Sequence, residues 1–266
     1  MSELHHAHWP KGVPHDLRVP QVTLNHFVQT AALRYPDKPA LIYADRVLTY
    51  RQLNQQIEAV AAYLQQRLGV ARGDRVLLMS QNCPQFVIAF YAVMRAGAAV
   101  VPVNPMSTLP EVTYYAQDSG AKVALVAQDL LPQVQPLLGE PDSTLAAIMV
   151  HAYSEGVPES GLPALPEAMR FAAQTSADPN VHAFADAVAF AAPVQDVGCT
   201  PDDLAVLPYT SGTTGLPKGA AMSHQGIYAA GAAKTLADDS ANAVSPLPMA
   251  AEHKPSKPTR WCLTQR

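Results

Sequence analysis

Strongly apolar stretches alternate with amphipathic ones from residue 75 to residue 150, and this alternation limits the fold more than any other feature. Each apolar stretch has the length of a strand, and the stretches between them have helical spacing. The predicted strands span residues 75–80, 98–103, 122–127 and 145–150, and the predicted helices span 85–96, 109–119 and about 129–138. Uniformly apolar strands separated by helices indicate an α/β fold, in which helices flank a mostly parallel sheet.

The residues before this alternation predict two helices and a hairpin. A helix of roughly ten residues begins near Thr23, where apolar side chains recur at helical spacing. Extended runs at 40–43 and 46–49 surround an Asp-Arg turn, as in a hairpin. Thr49 can cap a longer helix that ends before Gly69. A capping box of Thr and Glu is also predicted at the start of the helix at 109–119.

Composition divides the chain into one domain and two tails. Residues 1–20 should form a flexible N-terminal tail, and residues 250–266 show no strand or helix period. The domain is therefore expected at 21–249. Within it, residues 151–202 are rich in alanine and proline, which predicts a surface excursion with at most one short helix and no functional site.

A glycine-rich loop follows the apolar run that begins at residue 204, in the stretch LPYTSGTTGLPKGAAMSH at 207–224. Glycines let backbone amides approach a polyphosphate closely, hydroxyl groups add hydrogen-bond donors, and a lysine adds positive charge. The candidate phosphate-binding residues are Thr210, Ser211, Gly212, Thr213, Thr214, Gly215, Lys218 and Gly219. A strand is expected at 219–224 and a helix from Gln225 to about Ala237.

Two common nucleotide-binding motifs do not fit this loop. A Walker loop ends in Gly-Lys-Ser/Thr, whereas Lys218 follows Pro217 and precedes Gly219. The dinucleotide fingerprint G-x-G-x-x-G is absent as well, because residue 210 is not glycine. The remaining alternative is a tight turn between two strands with a solvated lysine, and the number of constrained positions favours phosphate binding over that turn.

The stretch YTSGTTGLPKG, preceded by the apolar LAVL, resembles the phosphate loop of the AMP-binding, or adenylate-forming, enzymes. That family includes acyl-CoA synthetases, luciferases and the adenylation domains of peptide synthetases. LTYRQLN from Leu48 and GDRVLLMSQNCPQFVIAFYAVMRAGAAVVPVNP from Gly73 are similar to two earlier elements of the family. The resemblance covers roughly residues 20–150 and 203–249, and VPVNPMSTLPEVTYYAQDSGAKVALV is most similar to the fatty acyl-CoA ligase branch.

The resemblance implies the N-terminal part of an acyl-CoA synthetase-like large domain. It also implies a two-step reaction in which a carboxylate, here a fatty acid, attacks the α-phosphate of ATP and CoA then displaces AMP. ATP, Mg²⁺ and CoA would be the cofactors, and the loop would hold the departing phosphates. The resemblance assigns no metal ligand to the chain.

The family's later elements do not follow the loop. The aromatic-Gly-x-Thr-Glu and Thr-Gly-Asp elements and the C-terminal lysine are not found, and SPLPM from Ser245 is the last match, which ends at Met249. We therefore expect a truncated or frame-shifted product without a complete catalytic set and with little ligase activity of its own. The alternatives are a non-catalytic remnant that binds nucleotide weakly or pairs with a complementary C-terminal fragment, and an unrelated ATP-dependent phosphotransferase.

Charge and cysteine content limit location and partners. A net charge of −4 lacks the basic surface expected for nucleic-acid binding. Three separated cysteines, no signal peptide and no apolar run of membrane-spanning length predict a cytoplasmic protein without a transmembrane segment. Cys83 is expected to pack rather than react, and His224 is expected to cap the following helix rather than contact nucleotide.

Overall fold

The computed structural model describes residues 19–210 and 215–241, with side chains described up to residue 232. The predicted tails at 1–20 and 250–266 lie almost entirely outside these residues, as does the SPLPM stretch. The domain boundaries predicted at 21 and 249 stay predictions.

Eleven strands and six α-helices occur in the described part of the chain. The strands are β1 (Pro39–Tyr43), β2 (Arg46–Thr49), β3 (Arg75–Met79), β4 (Ala99–Val103), β5 (Val123–Ala127), β6 (Ala147–His151), β7 (Val181–Ala183), β8 (Leu204–Val206), β9 (Tyr209–Thr210), β10 (Lys218–Gly219) and β11 (Met222–Ser223). The helices are α1 (Asn25–Arg34), α2 (Tyr50–Gln66), α3 (Pro84–Arg95), α4 (Leu109–Ser119), α5 (Phe184–Val188) and α6 (His224–Ala241).

Seven of these strands form one sheet in the order β11-β8-β4-β3-β5-β6-β7. All neighbours pair in parallel except β11, which is antiparallel to β8 at one edge. Strand β3 is central because the crossovers through α3 and α4 place β4 and β5 on opposite sides of it. The predicted α/β fold with a mostly parallel sheet is confirmed, and β1 and β2 form the predicted hairpin.

Both faces of the sheet are covered. Along β3, Val76 and Leu78 point into a cluster with α1, α2, α3 and α5, whereas Leu77 and Met79 point into a second cluster with α4. The alternation arises because successive side chains of a strand point to opposite faces. Every one of these four side chains is at most 1% exposed, so β3 is buried on both sides.

Local signals fix the helix boundaries well. The Thr49 hydroxyl accepts a hydrogen bond from the Gln52 backbone N–H at 3.3 Å, and the Gln52 side chain accepts one from the Thr49 N–H at 3.0 Å. At the start of α4, the Glu111 carboxylate accepts hydrogen bonds from the Thr108 N–H and hydroxyl at 2.7 and 2.9 Å. Both predicted starts are therefore confirmed.

The helix predicted at 129–138 is wrong in type. Two 3₁₀ helices, Gln128–Gln133 and Gln135–Leu137, occupy this stretch. Pro132 and Pro136 lack the N–H groups that a continuous α-helix would need, so only short turns form.

The excursion at 151–202 is more ordered than its proline content suggested. It contains the predicted short helix, α5, and two 3₁₀ helices, but also β7, which extends the sheet beside β6. A strand of three residues is too short to show a period of its own. The strand predicted at 219–224 is likewise divided into β10 and β11, which belong to different sheets, and the helix predicted from Gln225 begins one residue earlier, at His224.

Candidate functional site

A two-stranded hairpin stem closes the glycine-rich loop at its base. In this stem, Thr210 pairs with Lys218 and Tyr209 pairs with Gly219, antiparallel to one another. Thr210, Lys218 and Gly219 thus lie in the stem, and Gly215 lies in the connection between its strands. The other four predicted site residues, Ser211, Gly212, Thr213 and Thr214, lie outside the described residues.

The stem leaves the carboxyl end of a parallel strand. Strand β8 runs parallel to β4, and the Leu207 N–H donates to the Val100 carbonyl at 2.8 Å just before the stem begins. Open α/β sheets bind their ligands outside the carboxyl ends of the strands. The loop therefore lies at the edge of the sheet where this architecture usually forms a site.

Residues that follow β3 and β6 contact each other at this edge of the sheet. The Tyr153 hydroxyl accepts a hydrogen bond from the Gln81 N–H at 3.1 Å, and Tyr153 is 3% exposed. Gly161 passes so close to the β1–β2 turn that an added Cβ would lie 1.8 Å from the Ala44 carbonyl oxygen. Cys83 is completely buried nearby, and burial raises the pKa of its thiol to about 11, as expected for a packing residue.

Lys218 presents an exposed positive charge beside the loop. The residue is exposed, and none of the ion pairs in the described part of the chain includes it. A lysine held on a strand with its ammonium group in solvent can turn toward an anion in the loop. The described residues hold no group of three or more His, Cys, Asp or Glu side chains suited to a metal ion.

Gly215 and Gly219, the two predicted site glycines that the structure describes, have different surroundings. A Cβ at Gly219 would lie 3.0 Å from Leu207 Cδ1 and 3.3 Å from Tyr209 Cζ, so the close packing of the stem favours glycine there. A Cβ at Gly215 would have no neighbour within 4 Å among the described residues. Gly219 therefore has a packing reason that the sequence did not reveal, and its predicted contact with phosphate stays a prediction.

Helix α4 holds both strands of the stem. On the incoming strand, the Tyr209 hydroxyl donates to Asp118 Oδ2 at 2.5 Å, and its ring lies 4.8 Å from the Tyr115 ring. On the outgoing side, the Tyr114 hydroxyl donates to the Pro217 carbonyl oxygen at 2.8 Å. Burial and the Asp118 carboxylate raise the pKa of Tyr209, which stays a neutral donor. The sequence analysis did not identify Tyr114, Tyr115 or Asp118. The only feature of the sequence that could have indicated them is the pair of adjacent tyrosines.

The cap predicted at His224 is wrong, because Ser223 caps the following helix instead. The Ser223 hydroxyl accepts a hydrogen bond from the Gly226 N–H at 3.1 Å, which is the capping interaction expected of His224. His224 is 2% exposed, and its Nδ1 accepts a hydrogen bond from the Leu24 N–H at 3.3 Å. Burial lowers the pKa of His224, so the neutral ring joins the start of α6 to the start of α1.

Comparison with known proteins shows which family the chain belongs to. The AMP-binding enzyme family matches residues 28–254, most of the chain. The chain belongs to this family. The AMP-binding assignment made from the phosphate loop is therefore confirmed. No helix in the described residues combines the length and apolar character needed to cross a membrane.

Relatives within the AMP-binding family include acyl-CoA ligases. The long-chain-fatty-acid–CoA ligase of Bacillus subtilis is 32% identical over 231 residues, which cover 84% of this chain and 40% of that protein. The chain thus spans about 40% of the length of the curated relatives it matches.

Solved structures of the family share the fold. The inhibitor-bound N-terminal domain of FACL13 from Mycobacterium tuberculosis has a TM-score of 0.60 and 27% identity, and the match covers 76% of this chain and 44% of that one. A long-chain-fatty-acid–CoA ligase from Archaeoglobus fulgidus has a TM-score of 0.68 at 23% identity, covering 86% of this chain and 43% of the other. At that identity the second likeness concerns the fold alone.

Proposed function

We propose that this chain binds MgATP through the loop at 210–219 and serves the activation of a carboxylic acid, a fatty acid, as its acyl-adenylate. The observation that carries the proposal is the exposed Lys218, which forms no ion pair with the described residues, at the base of a glycine-rich loop in a chain of the AMP-binding family. The position of the loop at the carboxyl edge of the sheet supports the same assignment.

The reaction places specific demands on these residues. When a carboxylate oxygen attacks the α-phosphorus of ATP, the bond to the bridging oxygen breaks and pyrophosphate leaves with the bond electrons. We propose that Lys218 and the loop amides and hydroxyls of Ser211, Thr213 and Thr214 stabilise charge on that leaving group. Mg²⁺ would enter with the ATP phosphates, which are ligands it prefers. A thiol of CoA would then attack the acyl carbon and release AMP.

Binding is tested by calorimetry with MgATP on the complete chain. Lys218→Ala should weaken binding about tenfold or more, because it removes a charged partner of the phosphates. Lys38→Ala removes the same charge from an exposed site beside the Tyr35 ring and should leave affinity unchanged. Equal affinity of wild type and Lys218→Ala would refute the assignment of the loop.

Catalysis is a separate question from binding. The competing proposal is a non-catalytic nucleotide binder that pairs with a complementary fragment carrying the family's later elements. Pyrophosphate release with MgATP and a panel of fatty acids distinguishes the two, since only a complete catalytic set should give turnover above background. Cytoplasmic location and the absence of nucleic-acid binding stay predictions alongside this proposal.

A further inference from the structure

We infer that Tyr114 is a positioning residue for Lys218, an inference that rests on the proposed phosphate-binding role of the loop. The Tyr114 hydroxyl donates to the carbonyl oxygen of Pro217, the residue immediately before Lys218. Because the peptide unit is planar, holding this oxygen also orients the Lys218 backbone nitrogen and Cα. Pairing of Lys218 with Thr210 fixes the same residue from the opposite side.

The acceptor is suited to this task. Pro217 has its φ angle fixed by the ring and has no N–H to pair, so its carbonyl is the only backbone group through which it can be held. A hydroxyl from a neighbouring element supplies the contact without disturbing the short ladder between β9 and β10. The Pro217–Lys218 peptide is therefore held by a helix outside the loop.

Helix α4 is itself well anchored. The Glu111 carboxylate closes its first turn, and Gly120 ends it in the left-handed conformation with φ of 61°. Val112 and Ala116 are buried against the sheet, at 0% and 1% exposed. A helix fixed at both ends and along one face is a rigid support for Tyr114.

Asp118 and Tyr115 hold the other strand of the stem through Tyr209. Together with the contact of Tyr114 with Pro217, these contacts form what we call the clasp. The two sides of the stem are thus held to successive turns of one helix. Holding a binding loop in its bound arrangement reduces the conformational entropy lost when a ligand binds. The consequence is that Tyr114, which lies outside the loop in sequence, should determine phosphate affinity through Lys218.

The test compares Tyr114→Phe with Tyr63→Phe in the complete chain. Tyr114→Phe keeps the ring and removes only the hydroxyl that holds Pro217. Tyr63→Phe removes a hydrogen bond of similar length, 2.9 Å, between the Tyr63 hydroxyl and His182 Nδ1, away from the loop. Tyr114→Phe should weaken MgATP binding about threefold to tenfold, as expected for one lost hydrogen bond, and Tyr63→Phe should not.

Hydrogen exchange of the peptide at 207–219 provides a readout that does not depend on nucleotide. Exchange should be faster in Tyr114→Phe than in wild type or Tyr63→Phe at equal global stability. Unchanged MgATP affinity in Tyr114→Phe, with Lys218→Ala weakened, would overturn the inference and leave the proposed function intact. If Lys218→Ala binds like wild type, the proposed function fails, and unchanged exchange in Tyr114→Phe then rejects the clasp as well.

Discussion

His151 ends strand β6 with its side chain inside the core. The residue is 2% exposed, and neither ring nitrogen has a hydrogen-bond partner among the described residues. Its ring meets those of Tyr153 and Phe184 edge-on, at centroid distances of 5.5 and 6.0 Å. Burial lowers the pKa of His151 to about 4, because a charged imidazolium would lose its hydration there.

This burial predicts a loss of stability as the pH falls. The unfolded chain takes up the proton near pH 6.5, whereas the folded chain resists it until about pH 4, so stability present above pH 6.5 decreases toward pH 4. The loss of stability is on the order of 3 kcal/mol. Urea unfolding of wild type and His151→Phe at several pH values measures it, and the variant should show a shallower decrease between pH 6.5 and 4.

Replacement of the exposed Leu33 by Ala provides the control, because it changes no titratable group, and its decrease should match that of wild type. If the stability of wild type and of His151→Phe decreased equally between pH 6.5 and 4, the lowered pKa of His151 would be contradicted. In the sequence, His151 stands at the end of an apolar run. Its burial also depends on Phe184, which lies in the alanine- and proline-rich segment for which little structure was predicted.

Among the elements, α2 depends most clearly on a local signal. Its capping box satisfies two backbone N–H donors, those of Thr49 and Gln52, where β2 ends and the helix begins. Thr49→Ala should lower the free energy of unfolding by about 1 kcal/mol, because the Gln52 N–H then loses its acceptor. Thr49→Ser retains the hydroxyl and should recover most of that loss in chemical denaturation. Equal stability of the Ala and Ser variants would show that the cap contributes nothing.

Element prediction succeeded where a local pattern decides the structure and failed where it does not. Helices α1 to α4 and strands β3 to β6 follow from period and caps within a few residues. The stretch at 128–137 failed because helical spacing of its apolar residues outweighed two prolines in the prediction. Strand β7 could not be predicted, since its pairing with β6 is a tertiary contact and only three residues take part.

At the scale of the whole molecule, one strand joins two apolar layers. Leu78 lies in the cluster with α2 and α3, and its neighbour Leu77 lies in the cluster with α4. Leu77→Ala and Leu78→Ala should each cost about 2–5 kcal/mol and shift one shared unfolding transition. Leu33→Ala, at a side chain 84% exposed, should change stability by no more than about 0.5 kcal/mol.

Far-ultraviolet and near-ultraviolet circular dichroism measure this cooperativity, because the first follows the backbone and the second follows aromatic packing. Coincident transitions in all three variants are expected. Separate transitions in one core variant would show instead that the two layers unfold independently.

The site could be predicted in kind but only partly in structure. Residue types and spacing within 207–219 indicate phosphate chemistry and the family, because that signal is contained in one short stretch. The contacts of Tyr114, Tyr115 and Asp118 with the stem join residues about a hundred positions apart, and no local pattern reports them. The packing of Gly219 against Leu207 and Tyr209 depends on how the stem folds back on itself, which spacing alone does not show.

The pairing of β8 with β4 has a consequence for how the protein is made. Val206 in β8 pairs with Val100 in β4, roughly a hundred residues earlier in the chain. Strands β3 to β6, by contrast, follow one another with only helices or short turns between them. During synthesis the four central strands can assemble while the phosphate-loop segment is still inside the ribosome. Until β8 arrives, β4 is an open edge that can pair with another nascent chain, so this interval is when the protein is most exposed to aggregation.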